Sequence, residues 1–296
     1  MRSVLLKPAL CSWIGIVLLF PGLVAAAPPP VAVDSMPFPP AAAADSTGIA
    51  PAVAPASVHF DQSAWARLLS QYVDDQGRVA YKDWLEHDHT SFRKYLDAVG
   101  AATPATWPRD EQLAFWINAY NAGLVWAVQQ GQTPESLIGR ARLFKSWKFR
   151  VAGRERTPDD IEHDILRKQF QEPRIHFAIV CASVSCPPLR RAPYAPDSLT
   201  LQLDDQARRF VNDPTRNRLD PDAKALELSS IFDWFRSDFE RSAGSVPRFL
   251  AKYVYDAQAR EWLLGPAIPP PRYRDYDWSL NQQPFQRPDR KQRATR

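Results

Sequence analysis

Apolar residues recur at helical spacing soon after His59. Trp65, Leu68, Leu69 and Tyr72 share one helix face, behind an Asp61 placed to cap the first turn, and Gly77 closes the unit. Phe92, Tyr95, Leu96 and Val99 mark a second helix over 90–99. A third runs from about Asp110 to Gln130, ended by Gly131. Its centre, Ala114-Phe115-Trp116-Ile117-Asn118-Ala119-Tyr120-Asn121-Ala122, is apolar nearly all round, which predicts burial on every side. Thr157-Pro158-Asp159-Asp160 is a helix start: a hydroxyl cap, proline at the first helical position, then acids facing the positive end of the dipole. That helix reaches about Phe170. Further helices are expected over 199–211, at Ile231 to Phe235, and over 246–253.

Strand signals are fewer. Trp147 to Val151 alternates, and Gly153 suggests a turn into a partner strand. The run Ile175-His176-Phe177-Ala178-Ile179-Val180 reads as a buried strand ending at Cys181, and a short strand is expected near 226–228. Strands and helices do not alternate regularly, which disfavours a doubly wound sheet. The fold class is α+β, an α-rich single domain with a small β-sheet over residues 58–280.

The flanks have another texture. Arg2 and Lys7 precede an apolar run to Phe20, and Val24-Ala25-Ala26-Ala27 offers small residues to a peptidase: the pattern of a signal peptide over 1–27. Residues 28–57 hold prolines and alanines with few large apolar side chains, as in a disordered spacer, and 281–296 reads as a basic, disordered tail. The protein is therefore expected to be exported, periplasmic or secreted, with no stable membrane span after cleavage. The formal charge of +4 changes meaning once divided. Arg2 and Lys7 supply +2 and the last ten residues another +4, so the remainder carries about −2. No nucleic-acid face is expected. Nine of the 10 tryptophans, by contrast, lie between Trp65 and Trp278, within the domain.

Three segments carry polar groups in apolar surroundings. Asn118 and Asn121, spaced by three, share a face of the buried helix and need partners, because an unpaired buried amide is costly. They either bond within the core, or orient a catalytic histidine or hold an oxyanion. In Ile161-Glu162-His163-Asp164-Ile165-Leu166-Arg167, His163 and Arg167 face the same way, and the flanking acids should raise the histidine pKa. The alternative is a solvated helix with surface ion pairs. Cys181 ends the third segment, followed by Ala182-Ser183-Val184-Ser185-Cys186-Pro187. In a strand, His176 and Cys181 point to opposite faces. A Cys181–Cys186 disulfide pinning the loop is the structural alternative. The histidine and cysteine spacings fit no standard zinc pattern, glycine-rich phosphate loops are missing, and no metal or cofactor is expected.

These three blocks, in this order, resemble the signature of domain-of-unknown-function family 547, and the likeness extends from about Asp61 to Asp238-Phe239. The family's plant-type pattern has cysteine at the place of Cys181 but serine at that of Cys186, which implies that Cys181 is the shared site residue. Two readings stay open. The first is a thiol-dependent hydrolase or transferase acting on an amide, ester or thioester. Cys181 is its nucleophile, His163 its base, and Asn118 or Glu162 orients the imidazole, while Asn121, Arg167 and His176 contact a small-molecule, peptide or cell-envelope ligand. The second is a non-catalytic binding or scaffold module, with a structural disulfide and a buried polar network.

Overall fold

The structure, a computed structural model, describes residues 60–284. The expected leader and spacer, and the tail beyond residue 284, lie outside the described residues.

The expected α-rich α+β architecture is what the chain adopts. Helix α1 (Ser63–Tyr72) packs against α2 (Tyr81–Ala101), and α2 against α3 (Arg109–Gln129). Asp61 does not bond as a side-chain cap of α1; its carboxylate instead accepts from the Ser63 N–H in a tight local turn at 2.8 Å. Helix α2 starts well before the expected second helix and is interrupted at Asp88, whose carboxylate accepts from Tyr72 and Arg67. The centre of α3 is buried all round, as its composition dictates. Trp65 stacks on Tyr95 and on Phe92, with Trp84 beside them, to form an aromatic base under these helices.

After the short α4 (Leu137–Ala141) come β1 (Phe149–Val151) and β2 (Arg154–Arg156), paired antiparallel through the turn at Gly153. The ring of Phe149 lies where a Cβ on Gly123 of α3 would stand, so only glycine admits this packing. Thr157 and Asp160 bond reciprocally, the hydroxyl to the Asp160 N–H and the carboxylate to the Thr157 N–H, a capping box that starts the next helix. From Asp160 to Phe170 that helix is wound as a π-helix, a rare winding that concentrates at functional sites.

The segment expected to be a strand is not one. Pro173–Phe177 forms a 3₁₀ turn and the chain then runs irregularly to Cys181. Proline has no N–H for a ladder, and a continuous apolar run marks burial without specifying strand geometry. Helix α5 (Leu199–Val211) follows. A three-stranded sheet comprises β3 (Arg218–Asp220) antiparallel to β4 (Ala225–Ser229), with β5 (Arg272–Arg274) parallel to β4. Between β4 and β5 lie α6 (Ile231–Trp234), α7 (Arg236–Ala243), α8 (Val246–Ala251) and α9 (Ala257–Leu264). A second hydrophobic cluster gathers here around Phe177, Phe210, Phe232, Phe239 and Phe249. The chain finally returns to the first cluster: Val79 donates to Asn281, Gln283 donates back to Val79, and Ser183 bridges Leu280. Residues 281–283, assigned to the tail on sequence, thus belong to the fold. Among the described residues no helix is long and apolar enough to cross a membrane.

Candidate active site

The return strand clasps the cysteine loop. Val184 donates to Ser279, Ser185 to Asp277, and Asn281 to Ala182. Across the loop, Gly77 adopts φ 75° and brings its Cα so close to Pro188 that an added Cβ would sit 2.5 Å from the proline backbone. Ala182, directly after Cys181, is left-handed at φ 59°, a strained conformation for alanine that the surrounding bonds enforce.

Below the loop, Asn121 on α3 receives the Val180 N–H at 2.9 Å and donates to the Ala178 carbonyl at 3.0 Å. Asn118 does the same for both backbone groups of Tyr194. Each amide therefore has its carbonyl and one N–H committed to backbone. Neither side chain lines the cavity beside Cys181. They position the chain leading into the site, which is the core-bonding alternative of the two expected for them.

Cys181 is partly buried on the wall of a cavity of about 130 Å³. Tyr120, Glu162, His176 and Cys186 share the lining, and Phe144, Trp234, Phe235, Tyr276 and Trp278 give it an aromatic wall. The Cys181 sulfur lies 2.9 Å from the Ser183 hydroxyl and 3.2 Å from that of Tyr276. Burial alone would raise its pKa, but hydrogen bonds from Cys186, Ser183 and Tyr276 outweigh it and bring the thiol down to about 7. Cys186 is a free thiol, as is Cys181, and its sulfur accepts the Cys181 N–H at 2.8 Å. Burial, with the neighbouring Cys181 sulfur, pushes the Cys186 pKa well up.

Glu162 projects from the π-helix toward Tyr120, whose hydroxyl donates weakly to it at 3.4 Å. Burial lifts this carboxyl to about 7, against the pull of Arg167 and with help from the negative potential of Cys181. His176 is buried, with its ring stacked at 3.8 Å on Phe235. Its Nε2 lies 2.8 Å from Asp238 Oδ2, and Nδ1 has no hydrogen-bond partner. Burial raises and the bonds from His176 and Arg167 lower the Asp238 pKa; the bonds win, so it is an ionised acceptor. The histidine therefore carries its proton on Nε2 and leaves a lone pair on Nδ1. Burial holds its own pKa down to about 4 despite Asp238.

The expected opposition of His176 and Cys181 rested on a strand that does not form, and both line one cavity. His163 goes elsewhere. It lines a separate surface depression with Arg167, Lys168 and Asp238, apart from the lining that holds Cys181. Its pKa is lowered, not raised: burial comes first and Arg167 adds to it, against Asp159. Arg167 donates to His163 Nδ1 at 2.8 Å, so the ring's acceptor is already filled. The Arg167 fork grips Asp238 at 2.6 and 3.1 Å, which occupies the bidentate face expected to take a substrate carboxylate.

Asp238, Tyr276 and the aromatic wall were not expected at the site. Tyr276 stands 95 residues from Cys181 in sequence, and only the Tyr273–Trp278 spacing of aromatics hinted at a packed strand. No group of three or more metal-ligating side chains gathers among the described residues.

Residues 104–211 match the model of a family described as "Protein of unknown function, DUF547". That span holds α3, the π-helix and the cysteine loop, and stops before Asp238 and Tyr276. No curated protein and no solved structure matches.

Proposed function

The chain carries a DUF547 domain over residues 104–211, and from that premise, which brings no activity with it, we propose that it is a thiol-dependent hydrolase or transferase acting on esters, thioesters or amides. One observation carries the reading: an approachable thiol with a lowered pKa shares a cavity with a carboxyl whose pKa is raised to the same range.

Cys181, as thiolate, attacks the carbonyl carbon. The carbonyl electron pair moves to oxygen and returns as the leaving group departs, so the acyl group is held on sulfur. Glu162, poised near neutrality, protonates the leaving group and then takes a proton from the water or acceptor that releases the acyl group. This replaces His163 in the base role. His176, oriented by Asp238, places a second acceptor in the lining. The hydroxyls of Tyr276 and Ser183 hold the thiolate. The cavity is smaller than the 300–1,000 Å³ of a typical ligand pocket, so it admits one group rather than a whole molecule. Its aromatic wall suits a short acyl chain or a ring.

The test uses activated esters and thioesters of short and aromatic acids. Cys181→Ala is expected to lower kcat/KM at least about hundredfold, and Glu162→Gln to lower it and remove its fall above about pH 7, while the rise set by Cys181 ionisation remains. Hydrolysis undiminished in Cys181→Ala, with the wild type forming no acyl adduct, would sink the proposal.

A further inference from the structure

The two sulfurs of the loop are unequal in a way that acyl transfer does not use. Cys181 is partly exposed, while Cys186 is 4% exposed and shares the lining of the same cavity. Cys186 Sγ accepts the backbone N–H of Cys181 at 2.8 Å. The turn between them is closed by the Cys186 N–H on the Ser183 carbonyl, so this proximity is built into the backbone.

We propose that Cys181 and Cys186 form a dithiol–disulfide couple that exchanges with low-molecular-weight disulfides. It takes Cys181 as nucleophile, as the acyl-transfer reading does, but needs no acyl chemistry. The Cys181 thiolate attacks one sulfur of the disulfide RSSR. A new S–S bond forms, the old one breaks, and RS⁻ leaves with its electron pair. Cys186 then gives its proton to Glu162 in the same cavity and attacks the Cys181 sulfur. The second RS⁻ departs and is protonated. The protein loses two electrons and two protons, and RSSR becomes two RSH. The asymmetry suits the sequence of events: the partly exposed thiol has the lowered pKa, is about half ionised near neutrality and attacks first, while the buried one stays protonated until the mixed disulfide stands beside it.

The experiment uses the full chain carrying Cys11→Ala, reduced and then exposed to dithionitrobenzoate. With Cys186 present, each chain should release two thionitrobenzoate anions and finish two hydrogens lighter, without an adduct. Cys186→Ser should release one and retain the mixed disulfide. Cys181→Ser should react at least about tenfold more slowly, through the buried thiol alone. A parent chain that keeps the reagent as an adduct, or a Cys181→Ser chain that reacts at the parent's rate, overturns the couple. The acyl reading is judged separately, by acylation of Cys186→Ser with an activated ester: an adduct on Cys181 there, alongside failure of the couple, refutes only the couple.

Discussion

Two sets of polar groups border the cysteine loop, and they are built on opposite terms. Beneath it, Asn118 and Asn121 on α3 are tied to backbone groups that would otherwise be orphaned. Beside it, Glu162, His176 and Cys181 keep capacity in hand: a carboxyl near neutrality, an unpaired ring nitrogen, a thiol held by hydroxyls. Groups committed to backbone and kept out of the cavity lining hold a fold and have little left with which to meet a substrate. Unsaturated ones raise the energy of the folded state and persist where something else uses them. The same chain thus separates positioning from chemistry by how fully each polar group is bonded.

The largest effect should come from breaking the saturated side. Asn121→Ala leaves the Val180 N–H and the Ala178 carbonyl without partners in the core, at about 1–3 kcal/mol each. Urea unfolding should show a loss of roughly 2–6 kcal/mol. Cys181→Ser, on the other side, should stay within about 1 kcal/mol of the wild type. Equal losses would erase the distinction.

A middling effect belongs to Glu162. Its folded pKa of about 7 lies above the roughly 4.3 of an unfolded glutamate. The folded state therefore holds the proton more tightly. This contribution to stability is fully present below about pH 4.3 and is lost as pH rises through about 7. His176 runs the other way: its folded pKa of about 4 lies below the unfolded 6.5, so its contribution fades as pH falls through that window. The two partly cancel in the wild type. Glu162→Gln removes only the first, so its melting temperature should climb more steeply between pH 4 and 7 than that of the wild type. Parallel curves would show that the carboxyl is not perturbed.

The two sides also differ in how far the sequence reveals them. Helix α3, the Thr157 start and α5 follow from local periodicity and caps, and the need of Asn118 and Asn121 for partners followed from burial alone. The cavity did not follow in the same way. Ile175 to Val180 reads as a strand because burial looks alike in a strand and a 3₁₀ turn, and that misplaced His176 relative to Cys181. The pKa of His163 was expected to rise from its neighbours Glu162 and Asp164, whereas desolvation and Arg167 at the ring decide its sign. Asp238 reaches His176 across 62 residues, a distance at which no periodic signal survives.

The smallest expected effect tests whether Tyr276 belongs to the chemistry or to the packing. Its ring stands in the aromatic wall at 4.6 Å from Trp278 and 4.8 Å from Trp234, so a packing role is available to it. Tyr276→Phe keeps that ring and deletes only the hydroxyl 3.2 Å from the Cys181 sulfur. A hydrogen bond to a charged group contributes about 1.5–3 kcal/mol, and 1.36 kcal/mol corresponds to one pKa unit. Ser183 and Cys186 still bond the thiolate, so the loss should fall at or below the lower end of that range, about one unit. The midpoint of the pH profile for alkylation of Cys181 by iodoacetamide should therefore move up from about 7 toward 8, with thermal stability nearly unchanged. A profile that stays in place while stability falls would assign the tyrosine to the saturated side of the loop, with the asparagines.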